Sequence, residues 1–174
     1  MYHIAQAEDV SFEDIIDFLK KKQHSTAWAS ATIGFAVHDT TELNRHSDAR
    51  WQHGLLSRED FESILLPEHK HSIGNLDVPS IFPLRASIEQ ALSALEANST
   101  GQTNISERAQ ECMQGIVALK EAIVRDGFTT EIILTVSGGQ LLHVDGLHRI
   151  LALALALKEG YTYAPIPVFL HTSA

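Results

Sequence analysis

Three groups of side chains in this sequence have the types and spacing for chemistry. The first is Asp145-Gly146-Leu147-His148-Arg149. Apolar Leu141 to Val144 leads into it, and the strongly apolar Ile150 to Leu157 follows. That pattern reads as a strand, a sharp turn at Asp145-Gly146, and a helix. A helix start carries N–H groups without intrahelical acceptors and the positive end of the dipole. His148 and Arg149 in that first turn add donors, and together these groups suit a phosphate. The competing reading is a first-turn pair that bonds locally, with Asp145 serving as the helix N-cap. The second group is His38-Asp39-Thr40-Thr41-Glu42, gathered just past a short apolar run. Carboxylates at a strand end are often built into sites, although an ordinary strand-to-loop turn reads equally well. The third is Glu68, His69 and His71. Their spacing matches no closed zinc pattern and no cysteine pair accompanies them. They read as a histidine-rich surface loop, and no protein metal ligand is assigned. Cys112 has no histidine or arginine next to it in sequence, so it reads as a small core residue and not as a nucleophile.

The elements that position these groups follow from periodicity and punctuation. Ser11 caps a helix carrying Ile15, Ile16, Phe18 and Leu19, which closes on Lys20, Lys21 and Lys22. Trp28 to Asp39 holds Ile33, Phe35 and Val37 at period two and predicts a strand. Asn44 to Gly54 is polar and predicts a loop. Ser57 caps a short helix with Phe61, Ile64 and Leu65, running up to Pro67. Glu68 to Pro83, with its prolines and Gly74, predicts irregular chain. Ala86 to Ala97 predicts a helix, and Ser106 caps a longer one through Arg125 that ends at Gly127. Ile132 to Val136 and Leu141 to Val144 predict two strands joined by Ser137-Gly138-Gly139-Gln140. The Leu–Ala alternation from Leu151 to Leu157 is assigned to a helix, because neither residue is β-branched and both favour helices. Tyr163 to Leu170 predicts a last strand whose two prolines suit a sheet edge or a strand start.

The whole-chain numbers bound the function. With 174 residues, 44 % apolar and 20 % charged, the sequence predicts one soluble globular domain over residues 1–174. A net charge of −9 argues against a broad nucleic-acid footprint. The single cysteine rules out an intrachain disulfide framework and fits a reducing compartment. The N-terminus lacks the basic start and apolar core of a secretion signal. The longest apolar run is too short to cross a bilayer. A cytoplasmic protein without membrane attachment is the expectation.

Four segments occur in a telling order: Ile123-Val124-Arg125-Asp126-Gly127-Phe128, then Ile132-Ile133-Leu134-Thr135-Val136, then Val144-Asp145-Gly146-Leu147-His148-Arg149, then Ile166-Pro167-Val168. This order resembles the ParB/sulfiredoxin superfamily, over roughly the C-terminal third of the chain. The resemblance implies an α+β fold, a ParB/sulfiredoxin-like small mixed sheet flanked by helices. Its core would be residues 105–170, with a helical N-terminal and middle extension and a loop-rich helical insert over 44–104. It also implies that Gly146, Leu147, His148 and Arg149 contact the phosphates of a nucleotide. Sulfiredoxins carry their catalytic cysteine where this chain has Leu147, so sulfinic-acid repair is not expected. ParB proteins follow this module with a helix-turn-helix domain, and this sequence ends at Ala174; a DNA-partitioning role is not expected either.

Among the superfamily's members, this chain most resembles those that phosphorylate free serine. That likeness implies a nucleotide-dependent kinase acting on a small hydroxylated metabolite or amino acid. ATP or another nucleoside triphosphate would be the donor, with Mg²⁺ bridging the phosphates. Arg149 would neutralise phosphate charge while His148 and the helix N–H groups orient it. Asp39, Glu42 or Asp145 would accept the hydroxyl proton. The first two are favoured, because kinase-like relatives carry their acidic base near the end of the first strand. The alternative is a non-catalytic nucleotide-binding or protein-interaction module.

Overall fold

The computed structural model describes residues 2, 4–21, 50–69, 80–100 and 104–172. The expected strand over 28–39, and with it Asp39 and Glu42, lies outside them, as does His71. Among the described residues the chain is α+β, with five helices and one seven-stranded mixed sheet.

In chain order, β1 spans Ala5–Val10 and α1 Phe12–Lys21. Strand β2 is Arg50–Leu56, α2 is Arg58–Glu62, β3 is Leu65–Leu66 and β4 is Ala86–Ser87. Helix α3 is Ile88–Asn98 and α4 is Asn104–Asp126. Strands β5 (Ile132–Ser137) and β6 (Gln140–Asp145) form a hairpin, α5 is Leu147–Lys158 and β7 is Ile166–Thr172. The strand order across the sheet is β1-β2-β7-β5-β6-β3-β4. Strand β7 runs antiparallel to β2 and parallel to β5. Gly138 and Gly139 both take left-handed φ, 57° and 74°, which is what a tight hairpin between β5 and β6 requires.

Alternate residues of β5 divide between two apolar clusters. Ile132 and Leu134 face the larger one, with α3, α4 and α5; Ile133 faces the smaller, where Ile15 and Leu19 of α1 meet Trp51, Val144 and Phe169. The sheet is therefore covered on both faces. Helix α5 is buried on most sides, with Leu151, Ala152, Leu153, Leu155 and Ala156 all in the core. Its small alanines let it lie close to α4 and the sheet.

Several expectations are corrected. Residues 50–54 are strand and not loop, because β2 is held on both sides by β1 and β7. Gly54 permits that: a Cβ there would lie 2.7 Å from the Ala5 carbonyl oxygen. The helix after Ser57 stops at Glu62, and Leu65–Leu66 pairs with β4 and with Leu142. Ala86 belongs to β4, and α3 begins after Ser87. The long helix starts at Asn104, so Ser106 lies inside it. Strand β7 is interior, so of the two positions expected for its prolines the strand start is the one found: Pro165 precedes β7 and Pro167 is its second residue. Pro167 pairs only toward β2, and pairing with β5 begins at Val168.

Candidate functional site

The turn after β6 is built by glycine. Gly146 is the N-cap of α5 at φ 102°, and no side chain caps the helix. A Cβ at 146 would sit 2.6 Å from Cγ2 of Ile132, so the position demands glycine for both conformation and space. The N-cap reading of Asp145 is thereby corrected. Its carboxylate instead accepts a hydrogen bond from Arg149 Nη2 at 2.9 Å, in a pair with side chains only 15 % and 18 % exposed. Arg149 Nη1 donates to the Glu131 carbonyl at 2.5 Å. The guanidinium thus ties the first turn of α5 to the entry of β5 and the exit of β6. Burial lowers its pKa, and Asp145 and Glu131 oppose that shift. Leu147 is half-buried and packs against the larger core, so its side chain serves packing.

Beside Arg149 lies a cavity of about 130 Å³. Asp126, Gly127, Thr129 and Thr130 of the α4–β5 connection line it, over an apolar floor of Leu119, Ala122 and Ile123. Gly127 takes φ 82° and closes α4 through its N–H to Ile123, which swings the two threonines toward Arg149. Asp126 is held by Arg125, and that pairing lowers its pKa. A larger recess of about 490 Å³ lies at the far end of α5, between α2, α3 and Lys158. Of the charged groups that line it, Arg58 pairs with Glu62 and Lys158 with Glu96, and Glu89 lines it as well.

His148 points to a different neighbourhood. Its ring stands edge-on to His69, with centroids 5.8 Å apart at 82°. His69 Nε2 is 3.3 Å from Cys112 Sγ. His69 and Cys112 are 7 % and 4 % exposed, whereas His148 is exposed. The surface-loop reading of His69 is therefore corrected: its ring is buried, stacked on Phe82 at 5.0 Å. Its backbone is also fixed from both directions, His69 N–H to Phe82 and Ile81 N–H to His69. Cys112 is buried as expected, yet it does have a histidine beside it in space. Burial pushes its thiol up to about 11, so the unligated group stays protonated and a poor nucleophile at neutral pH. His143 on β6 is buried with no hydrogen-bond partner at either ring nitrogen among the described residues. Burial lowers its pKa to about 4, with Arg149 and His148 adding to the shift and Asp145 opposing it.

Of the residues singled out from sequence, Asp145, Gly146, Leu147, His148 and Arg149 come together around one turn, but they face different partners. Thr129, Thr130 and His143 carry no reading from sequence, while His69 reads there as surface loop and Cys112 as core, without their contact. A threonine pair between a left-handed glycine and a strand was a usable signal for the cavity. For Cys112, its place one turn from Ala109 and Ile116 marked it as inward-facing, but nothing local pointed to His69.

The model of a family of unknown function (DUF6309) matches residues 4–169 of the chain. No curated protein and no solved structure matches it.

Proposed function

The chain belongs to this family of unknown function, and we propose that it binds the phosphates of a nucleotide at the start of α5 and transfers a phosphoryl group to a small hydroxylated acceptor. The observation that carries this reading is the cavity where Arg149, Thr129 and Thr130 meet beside an α5 start with no side-chain cap. A phosphate takes a cation and hydroxyl donors around it; Arg149 and the two threonines supply these from the cavity wall, and of the α5 start Arg149 is the residue that lines it. The bonds from Arg149 to Asp145 and Glu131 use two of the five guanidinium donors. The same side chain can hold its place and still donate to an anion. Phosphoryl transfer asks mainly for positioning and charge neutralisation. ATP or another nucleoside triphosphate would bring Mg²⁺ with it, held largely by phosphate oxygens and water. Asp39 and Glu42 remain the proposed proton acceptors.

A second reading, a nucleotide-binding module without catalysis, draws support from the carboxylates. Asp145 is engaged by Arg149, and Asp126, the carboxylate lining the cavity, is engaged by Arg125.

Calorimetry with ATP and with CTP, each with Mg²⁺, tests both. Binding is expected, weakened about tenfold or more in Thr129→Val/Thr130→Val, since two lost hydrogen bonds amount to roughly 1–3 kcal/mol. The double variant leaves the Arg149–Asp145 pair intact, so its folding is a fair control. No affinity for either nucleotide overturns the reading. Affinity without turnover across a panel of hydroxylated metabolites selects the second.

A further inference from the structure

Three elements remote in sequence bring a second, separate group of side chains together. His69 lies just past β3, Cys112 is on α4, and His148 is in the first turn of α5. One ligand-capable atom from each lies within 4.8 Å of the other two. The sulfur–nitrogen pair of Cys112 and His69 is at 3.3 Å. A tetrahedral zinc ion with Zn–S near 2.3 Å and Zn–N near 2.05 Å places its sulfur and nitrogen ligands about 3.6 Å apart, and its nitrogens about 3.4 Å apart. At 3.3 Å, Cys112 and His69 are within about 0.3 Å of that spacing. From a separation of at most 4.8 Å, His148 needs to move inward by no more than about 1.4 Å to reach those spacings, and its exposed position at a helix start allows it.

We propose that His69, Cys112 and His148 supply three ligands of a zinc site, whose fourth position no side chain among the described residues fills.

The donor chemistry selects the metal. One thiolate and two imidazoles are borderline-soft ligands that suit Zn²⁺ and disfavour Mg²⁺ or Ca²⁺, which take oxygen. Three protein ligands with one open position is the arrangement of zinc centres that act on a bound water or substrate; closed structural sites use four. The support around the ligands is already in place. Stacking on Phe82 and the paired backbone bonds to residues 81 and 82 fix the His69 ring, and Cys112 sits on the buried face of α4. Such outer support orients ligands before the metal arrives. On binding, the Cys112 S–H bond breaks, its proton leaves to solvent, and the sulfur lone pair bonds to the metal. His143 is not in the set that converges within 4.8 Å. The site does not depend on the phosphate cavity, which lies on the Arg149 side of the same helix turn.

The test uses tag-free full-length protein titrated with Co²⁺ and then competed with Zn²⁺. Expected is one ion per chain, a thiolate-to-cobalt charge-transfer band in the near ultraviolet, and visible bands of tetrahedral intensity that Zn²⁺ abolishes. Cys112→Ser should lose the charge-transfer band. His148→Ala, a change at an exposed position, should weaken Zn²⁺ binding by more than about 100-fold, beyond the loss expected for an outer-shell partner. Absence of the charge-transfer band in the wild-type protein overturns the proposal, as does its survival in Cys112→Ser. Unchanged Zn²⁺ affinity in His148→Ala overturns it too. Circular dichroism shows that each variant is folded, and if Cys112→Ser is not, His148→Ala decides.

Discussion

A methyl group at position 146 would meet Ile132 at 2.6 Å while forcing an L-residue to φ 102°. Both effects oppose folding. A left-handed non-glycine costs about 1–3 kcal/mol and an overpacked methyl a similar amount. Gly146→Ala should therefore lose about 3 kcal/mol or more in urea unfolding. Gly160→Ala, at φ 98° with open space around it, should lose only about 1 kcal/mol. Equal losses would show that packing on Ile132 contributes nothing. Two buried imidazoles make a second prediction at this scale. His143 and His171 both have pKa values lowered to about 4 by burial. His143 is also affected by Asp145, Arg149 and His148. His171 bonds Thr135 through Nδ1 and packs on Trp51. A histidine depressed in the folded state adds nothing above the unfolded pKa near 6.5 and destabilises as pH falls from there to about 4. At pH 5 each should cost on the order of 2 kcal/mol relative to pH 7. His143→Leu and His171→Phe should each remove that part of the pH dependence in urea unfolding at the two pH values. An unchanged pH 5 penalty in both variants would rule this out.

The elements differ in how far local signals specify them. Helix α3 starts on a full capping box: Ser87 Oγ accepts from Gln90 N–H at 3.1 Å, and the Gln90 side chain accepts from Ser87 N–H at 2.9 Å. Ser87→Ala should cost about 1 kcal/mol in urea unfolding, whereas Ser93→Ala within the same helix should be near neutral. The same chemistry explains what could be read without a structure. Ser11 and Ser57 cap α1 and α2 through bonds spanning three residues, and paired glycines set the β5–β6 turn, so these elements were legible from short windows. Strand β2 was not. Arg50-Trp51-Gln52-His53-Gly54 has no β-branched residue, and it is a strand because β1 and β7 flank it, a fact encoded tens of residues away. The candidate site divides the same way. The strand–turn–helix around Gly146 is local and was legible. The contact of Cys112 with His69 spans 43 residues, and the bond from Arg149 to a backbone carbonyl 18 residues earlier carries no side-chain signature at all.

At the scale of the whole molecule, the two halves of the sheet meet at β7. On one side stand β1 and β2 from the N-terminal half, and on the other β5, β6, β3 and β4. Ile166, Val168 and Leu170 enter the larger core and Phe169 the smaller, so this strand also joins the two faces. Burying four such side chains contributes roughly 6–12 kcal/mol at about 1.5–3 kcal/mol each. That is comparable to the whole stability of a typical domain, about 5–15 kcal/mol. Strand β1 contrasts with it. Among the described residues it is an edge strand, nearly all of it exposed, with Glu8 and Asp9 discouraging edge-to-edge association. Truncation after Gly160 should leave a chain without fixed tertiary packing, while deletion of residues 1–10 should leave a folded protein weakened by a few kcal/mol. Trp51 supplies the readout, because it is buried between Phe12 and His171. Its near-ultraviolet dichroism should vanish in the first truncation and persist in the second. A cooperative urea transition in the chain ending at Gly160 would mean that α4, α5 and the β5–β6 hairpin fold without the strand that joins them to β2.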